Sequence, residues 1–330
     1  MFANILLPML FGFAVFMTGM KLMELALHRW AGPYLRATLE RATATPLHGF
    51  AAGTATTAVL QSSTAVTVIT IGLVNSGLLT FPRTLGIVLG TNVGTSLTTE
   101  LIGLNLSRLT VPLMALSFIG WLASALLWEA SPHRTATMDD TAAKPRWLTP
   151  LRYGSVAVFG FSLLLLGINV MQSIAPAVEA MPLFGWFIDR AGESVLWGIA
   201  AGVALTAAVH SSAAVIAMMM GLAAFGAVPV EIGIAAVLGA NVGTCFTALL
   251  ASVGGTPAGR FVAWAHIALN VGGVVLFAPL VGELAVASSW LSDSPATQIA
   301  HAQTIFNMVS SLVALPLCYL PVWSRRPLRL

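Results

Sequence analysis

Two short polar motifs interrupt apolar stretches of this chain at matching positions. Residues 61–64 read Gln-Ser-Ser-Thr, and residues 210–213 read His-Ser-Ser-Ala. A second polar pattern follows each motif, Gly-Thr-Asn-Val-Gly-Thr at 90–95 and Gly-Ala-Asn-Val-Gly-Thr at 239–244. Both recur at one offset, since 210 − 61 = 149 and 239 − 90 = 149. Polar groups that recur at membrane depth indicate a transport site between two copies of one unit.

The serine motifs contain the chemistry of an anion site. If a helix breaks at each motif, the next helix begins at about the second serine, and its first four backbone N–H groups have no acceptor within the helix. These N–H groups and the positive end of the helix dipole attract an anion without any buried Arg or Lys. The alternative is that the hydroxyl groups only hold helices together. The predicted substrate ligands are Ser62, Ser63, Thr64, Ser211 and Ser212.

The second pattern offers neutral oxygen atoms instead. Two glycines within five residues each weaken a helix by about 1 kcal/mol, which predicts a helix break that frees backbone carbonyl groups. Carbonyl, amide and hydroxyl oxygens of this kind suit Na⁺. The alternative is a pair of helix crossings packed through glycine. The residues predicted to bind sodium, or to shape the point where two half-helices meet, are Gln61, Asn92, Thr95, Thr98, His210, Asn241, Thr244 and Thr247.

Composition places the chain in a lipid bilayer. Charged residues form 8% of it, against about 25% in soluble domains. Hydrophobic residues form 57%, and the mean hydropathy is +0.89. The net charge of +3 comes without a basic and aromatic cluster, so no nucleic-acid partner is expected. Cys245 and Cys318 lack CxxC spacing, and no catalytic constellation appears, so the sequence predicts no transition metal, no cofactor and no enzyme.

Apolar length predicts the membrane spans. A helix needs about 20 apolar residues to cross a bilayer. The predicted spans are 3–24, 81–105, 109–130, 151–172, 229–252, 260–286 and 298–322. Segments 47–76 and 194–226 carry a serine motif at their centre. Each segment fits one spanning helix, or two half-helices that form a re-entrant hairpin against protein or a cavity.

The distribution of basic residues favours the hairpins. With two hairpins the chain crosses seven times, and thirteen of its fifteen basic residues fall on one face. Only Arg108 and Arg190 fall on the other face. By the positive-inside rule the basic face is cytoplasmic. The protein is then expected in the inner (plasma) membrane of the cell, with its N-terminus outside and its C-terminus in the cytoplasm. The acidic residues near span ends are interpreted as interfacial charges: Glu24, Glu100, Glu129, Glu231 and Glu283.

An internal repeat gives the domain organisation. Segments 49–101 and 198–250 align without gaps, with 23 of 53 positions identical. Three crossings per unit is an odd number, so the second unit enters the membrane upside down. The predicted fold is an all-α integral membrane protein with two inverted-topology repeats, each with a re-entrant helical hairpin and a broken transmembrane helix. The repeats occupy 1–130 and 151–286, a cytoplasmic linker occupies 131–150, and 298–322 is a final helix.

Two polar pairs lie outside the aligned segments. His266 and Asn270 are one helical turn apart, and so are Gln303 and Asn307. In membrane helices such side chains hydrogen-bond neighbouring helices. Interhelical hydrogen bonds are therefore the favoured interpretation over ligand binding.

These motifs closely resemble those of the type II sodium–phosphate cotransporter family, including its bacterial members. The family mark is Gln-Ser-Ser-Ser in each of two inverted repeats, followed by Gly-Ala-Asn-hydrophobic-Gly-Thr. Residues 19–23, Gly-Met-Lys-Leu-Met, and 302–307, Ala-Gln-Thr-Ile-Phe-Asn, resemble its leading and final helices. The resemblance covers nearly the whole chain.

The resemblance implies sodium-coupled transport of inorganic phosphate by alternating access. It implies two hairpins that meet near the membrane midplane, phosphate at the serine motifs, Na⁺ at the same motifs and at the Asn and Thr positions, and a homodimer. Three alternatives stay open: another oxyanion, proton coupling, and a phosphate-binding scaffold or sensor without net transport.

The chain departs from the family pattern at three motif positions. His210 replaces the second Gln, and Ala213 and Thr64 replace serines. We expect His210 to make the sodium dependence vary between about pH 5.5 and 7.5, where histidine titrates. The first repeat has no Asp, so no additional sodium site with an intramembrane carboxylate is expected. Many bacterial relatives continue into a soluble helical domain, whereas this chain stops at Leu330, so regulation through that domain is not expected.

Overall fold

A computed structural model describes residues 2–41, 44–104, 106–130 and 147–320 of the chain. Within these ranges the regular secondary structure is helical throughout. The α-helices are α1 Phe2–Arg41, α2 Pro46–Leu60, α3 Ser63–Asn75, α4 Phe81–Gly103, α5 Thr110–Ala130, α6 Leu148–Gln172, α7 Ala175–Glu179, α8 Pro182–Glu193, α9 Val195–Val209, α10 Ser212–Ala224, α11 Val230–Gly243, α12 Cys245–Ser252, α13 Pro257–Phe277, α14 Val281–Ser289 and α15 Pro295–Ala314. Short 3₁₀ turns occupy Leu106–Leu109, Ala278–Leu280 and Leu315–Tyr319.

Six helical segments of the described chain are long and apolar enough to cross a membrane. They are Ile5–Arg41, Leu106–Glu129, Leu148–Gln172, Val230–Ser252, Pro257–Ser289 and Pro295–Tyr319. The seventh predicted span, 81–105, forms the 23-residue helix α4, whose central polar residues make it less apolar than the other six. The prediction of an all-α integral membrane protein is confirmed.

Helix α1 differs from the predicted span 3–24. It continues for 40 residues to Arg41 and contains Pro8 and Pro33, a length of about 60 Å at 1.5 Å per residue. An ion pair one turn apart, with 3.1 Å between Arg36 Nε and Glu40 Oε1, lies on its second half. Lys21 and Glu24 therefore lie in the middle of a helix. The prediction that Glu24 lies near the end of a membrane span stays a prediction, because α1 is longer than one crossing needs.

Each serine motif separates two short helices. We call α2 with α3 the first half-helix pair, and α9 with α10 the second half-helix pair. Gln61 and His210 end the first helix of each pair in the left-handed region, at φ 55° and 57°. The serine after each is extended, at φ −149° for Ser62 and −148° for Ser211. Fifteen and thirteen residues per helix are each fewer than the 20 or so that one crossing needs.

The predicted break at the glycine-rich pattern of the first repeat is wrong. Helix α4 runs without interruption through residues 90–95. In the second repeat the chain leaves the helix only at Thr244, between α11 and α12. The glycines instead allow close packing: a Cβ atom on Gly90 would overlap the carbonyl oxygen of Phe50, and one on Gly94 would lie 2.6 Å from that of Thr54.

These contacts also fix the direction of the helices. Pro46 lies against Gly86, Phe50 against Gly90 and Thr54 against Gly94, so α2 and α4 run parallel. The second half-helix pair packs likewise, since Gly202 of α9 approaches Ala236 and Ala240 of α11, and Gly243 of α11 approaches Val203 and Thr206 of α9. Because α2 and α4 start side by side, α3 must return the chain to the level where α2 began.

Helices α1 and α6, which begin the two repeats, run in opposite directions. Gly12 of α1 lies against Gly167 of α6, and Gly19 lies against Gly160. Higher numbers on α1 therefore meet lower numbers on α6. A Cβ atom on Gly160 would lie 2.6 Å from the carbonyl oxygen of Gly19, so this antiparallel contact depends on glycine.

Side-chain amides connect the two copies through α13 and α15. Asn270 Oδ1 accepts a 2.6 Å hydrogen bond from Asn92 Nδ2, and Asn270 Nδ2 donates to the carbonyl of Asn241. Asn307 Nδ2 donates to the carbonyl of Asn92 at 3.0 Å, and Gln303 Oε1 accepts from Thr99 at 2.5 Å. The predicted interhelical hydrogen bonds are confirmed for Asn270, Asn307 and Gln303. Most of the predicted linker, 131–146, and the C-terminal residues 321–330 lie outside the described residues.

Candidate functional site

The first serine motif caps helix α3 and leaves two backbone donors at its start. Ser62 Oγ accepts the N–H of Ala65 at 3.3 Å, and its carbonyl oxygen accepts the N–H of Val66 at 3.3 Å. The first bond uses one of the four N–H groups that a helix start leaves without a partner, and the second is the first regular backbone bond of α3. The N–H groups of Ser63 and Thr64 remain for a ligand, and both residues line a central cavity.

The second serine motif repeats this geometry. Ser211 Oγ accepts the N–H of Ala214 at 3.3 Å, and its carbonyl oxygen accepts that of Val215 at 3.4 Å. The N–H groups of Ser212 and Ala213 remain, and these residues line the same cavity. Two helix starts therefore contribute four backbone donors to one space, an arrangement that suits an anion.

Helix α1 brings the two motifs together. The hydroxyl group of Ser62 donates to Glu24 Oε1, and that of Ser211 donates to Met20 Sδ at 3.4 Å. Met20 and Glu24 are four residues apart, which corresponds to about 6 Å along the helix. The two capping serines thus meet one face of α1 within a single turn.

The cavity between the motifs has a volume of about 290 Å³. Each water molecule takes up about 30 Å³ in the liquid, so this space holds a small oxyanion together with several waters. Eleven of the thirteen predicted site residues line it: Gln61, Ser62, Ser63, Thr64, Thr95, Thr98, His210, Ser211, Ser212, Thr244 and Thr247. Asn92 and Asn241 are the two that do not. The side-chain amide of Asn92 donates to Asn270, and that of Asn241 donates to the carbonyl of Val237.

The threonines of the cavity wall present oxygen lone pairs rather than hydrogens. Thr95, Thr244 and Thr247 donate their hydroxyl hydrogens to backbone carbonyls at 2.8, 2.6 and 2.6 Å. Thr98 donates to Gln61 Oε1 at 2.8 Å. A hydroxyl group has one hydrogen and two lone pairs, so these four oxygens can still accept. They are suited to a cation or to the hydrogens of a ligand.

The Gln61 side chain holds in place the connection between α2 and α3 of the first half-helix pair. Its amide nitrogen donates to the carbonyl of Ala58 at 2.5 Å, while its amide oxygen accepts from Thr98 of α4. Both ends of the amide are therefore hydrogen-bonded within the protein. In this conformation Gln61 influences ligand binding by setting the position of the connection between α2 and α3.

Two charged residues of the cavity were not predicted as part of the site. Lys21 and Glu24 both line it, with 2.6 Å between Lys21 Nζ and Glu24 Oε2. Glu24 therefore brings a carboxylate to the cavity, and the expectation that no additional sodium site uses an intramembrane carboxylate stays a prediction. The available signal was an acidic and a basic residue one helical turn apart, directly after an apolar run. Its link to Ser62, 38 residues away, has no local pattern.

A small second cavity lies next to the start of helix α3. Its volume is about 10 Å³, and Ser63, Thr67, Thr247 and His266 are among its lining residues. His266 is 4% exposed, and neither of its ring nitrogens is hydrogen-bonded to another described group. The predicted interhelical hydrogen bond of His266 is therefore wrong. The two cavities share a wall of hydroxyl groups.

Comparison with known proteins identifies the family of this chain. The sequence profile described as "Na+/Pi-cotransporter" matches residues 15–138 and 163–311, one stretch in each half of the chain. "Uncharacterized protein YqeW" of Bacillus subtilis is 31% identical over 92% of this chain and 91% of its own length. No solved structure matches.

Relatives with longer chains are also similar. "Putative inorganic phosphate export protein YjbB" of Escherichia coli is 27% identical over 94% of this chain, and its Salmonella typhimurium counterpart is 26% identical over the same share. This chain spans about half of their length, 53% in each case. The profile match covers most of the chain and includes both serine motifs and both glycine-rich patterns, so this protein belongs to the Na⁺/Pi-cotransporter family.

Proposed function

We propose that this protein carries inorganic phosphate across the membrane together with Na⁺. The observation that carries the proposal is the convergence of four backbone N–H groups from two helix starts on one cavity. Phosphate has several acceptor oxygens and a negative charge, so it matches this set of donors. The printed names of the family and of the YjbB relatives point to the same substrate.

Sodium coupling is supported by the oxygen atoms around the same cavity. The hydroxyl oxygens of Thr95, Thr98, Thr244 and Thr247 have their hydrogens engaged elsewhere and keep free lone pairs. Neutral oxygens next to interrupted helices coordinate Na⁺ in transporters. An anion site and a cation site in one space let each ligand stabilise the other.

Alternating access follows from two inverted repeats around this fixed site. The antiparallel contact of α1 with α6 and the equivalent packing of α2 on α4 and of α9 on α11 support the inversion. On this proposal the two half-helix pairs enter from opposite faces and meet at the cavity. The excess of basic residues on one face then places the N-terminus outside and the C-terminus in the cytoplasm.

Phosphate export is the second candidate, favoured by the printed name of the YjbB relatives. A coupled carrier works in both directions, and its net flux follows the combined gradients of phosphate and the coupling ion. Export would therefore use the same site as uptake. The difference lies in the ion gradient that drives the cycle.

The test is radiolabelled phosphate transport in proteoliposomes, with an inward Na⁺ gradient and then with K⁺ in its place. We expect uptake that follows Na⁺ and that reverses to efflux when the Na⁺ gradient is reversed. The double variant Ser62→Ala with Ser211→Ala should abolish it. Equal uptake in Na⁺ and K⁺ would reject sodium coupling, and full activity of the double variant would reject the site. A lack of transport under every gradient would favour a binding role.

A further inference from the structure

Lys21 and Glu24 form an ion pair on the wall of the central cavity. Glu24 Oε2 lies 2.6 Å from Lys21 Nζ, and Glu24 Oε1 accepts the hydroxyl hydrogen of Ser62. The Glu24 side chain is 18% exposed, whereas that of Lys21 is 65% exposed. The carboxylate is thus held at the anion site, while the ammonium group is less enclosed by the protein.

Phosphate at the first half-helix pair competes with Glu24 for one hydrogen atom. A serine hydroxyl has a single hydrogen to donate, and Ser62 gives it to the carboxylate. An oxyanion that takes this hydrogen leaves Glu24 Oε1 without its donor. Two negative charges at one serine also repel each other, most strongly where water is excluded. Phosphate and the carboxylate therefore need additional positive charge between them.

Lys21 alone cannot neutralise both groups. Its flexible side chain carries one charge, and phosphate would draw that charge away from Glu24. An unpaired carboxylate in a mostly buried position is costly. The position that Lys21 Nζ leaves is bordered by the carboxylate of Glu24, whose other oxygen is hydrogen-bonded to Ser62. Oxygen atoms at a site where a positive charge is already stable suit a small monovalent metal cation.

We propose that Glu24 binds the coupling Na⁺ ion, and that Lys21 is the internal counter-ion that this Na⁺ replaces. The proposal rests on the proposed function and adds the residue through which the two ligands are linked. Ser62 would turn its hydrogen to phosphate and a lone pair to Na⁺. Each ligand then increases the affinity for the other, by the same factor in both directions.

Direct binding of ²²Na⁺ to the purified protein in detergent, without phosphate, tests whether Na⁺ replaces Lys21 as the counter-ion of Glu24. Lys21→Gln should bind Na⁺ at least about tenfold more tightly than the wild type, because the competing charge is gone. Glu24→Gln should lose this binding. Glu40→Gln is the matched control, since Glu40 pairs with Arg36 on the same helix away from the cavity, and it should match the wild type. Wild-type affinity in Lys21→Gln would overturn the exchange of Lys21 for Na⁺.

Phosphate binding at a series of Na⁺ concentrations tests the link between the ligands. In K⁺ medium, Glu24→Gln should bind phosphate at least about tenfold more tightly than the wild type. Its Hill slope for Na⁺ should fall by about one. Glu24→Asp should keep the sodium dependence, which shows that the site still forms. Wild-type sodium dependence in Glu24→Gln would overturn the proposal. Sodium-independent transport by the wild type would instead overturn the proposed function.

Discussion

At the scale of single residues, the anion site uses backbone groups that a side-chain substitution leaves in place. Ser63 is the first residue of helix α3 and lines the cavity, and its N–H has no acceptor within the helix. Proline is tolerated at the first position of a helix and removes this donor. Ser62 before it is extended, at φ −149° and ψ 100°, which is the conformation that proline requires of the preceding residue.

We therefore predict that Ser63→Pro weakens phosphate binding far more than Ser63→Ala does. A hydrogen bond to a charged group contributes about 1.5–3 kcal/mol, so the loss should be roughly tenfold to a hundredfold. Equilibrium binding of labelled phosphate in detergent measures it. Val195→Pro is the control, because Val195 is also the first residue of a helix after an extended serine. Equal affinity in Ser63→Pro and Ser63→Ala would show that the backbone N–H of Ser63 does not bind phosphate.

The residues of the site could be predicted where the sequence itself marks them. Ser62 and Ser211 are polar groups in apolar surroundings at a fixed offset, so composition and repetition identify them. Glu24 was missed because its role depends on a contact with Ser62 between two different helices. His266 was misinterpreted for a similar reason, since its neighbours come from α3 and α12. Side-chain function that depends on tertiary contacts has no signal in local spacing.

At the scale of helices, glycine has two possible effects, and the partner helix decides between them. The sequence predicted a break at 90–95, because glycine weakens an isolated helix. In the structure α4 stays intact, since Gly90 and Gly94 let the backbone of α2 approach closely. The half-helix breaks could be predicted because serine favours the N-cap position of a helix and each serine motif interrupts an apolar segment. The length of α1 could not, since this helix continues through Gly32 and Pro33, residues that usually end or kink a helix.

We predict that Gly90→Ala destabilises the protein by about 1–3 kcal/mol, the usual cost of an overpacked contact. The added Cβ would overlap the carbonyl oxygen of Phe50, and a backbone atom cannot rotate away as a side chain can. Thermal unfolding in detergent, in the presence and absence of phosphate, measures the change. Gly72→Ala in α3 is the control. Its Cβ meets nothing within 4 Å, so this variant should gain up to about 1 kcal/mol. Similar melting temperatures for both variants would contradict the close packing of α2 on α4.

At the scale of the whole molecule, the outer surface is apolar and the polar groups lie inside. Val111, Leu116 and Ile119 of α5 are 73%, 68% and 62% exposed, whereas Gln303 and Thr99 are fully buried. Exposed apolar surface of this extent is typical of a protein surrounded by lipid. The polar cavity therefore lies inside an apolar exterior, and the direction of each half-helix pair decides from which face the cavity is reached.

Thr80 and Pro229 can test this direction. They occupy equivalent positions in the two repeats, since 229 − 80 = 149. Both are exposed and precede the helices α4 and α11. If both half-helix pairs return to the face that they entered, Thr80 lies in the cytoplasm and Pro229 outside. If both pairs cross the membrane, the two residues lie on the same face. We predict that an impermeant maleimide labels Pro229→Cys in intact spheroplasts and Thr80→Cys only after lysis. Cys245 and Cys318 are buried, so the parent protein should stay unlabelled. Labelling of both variants in intact spheroplasts would reject the inverted repeat and, with it, alternating access through two opposed half-helix pairs.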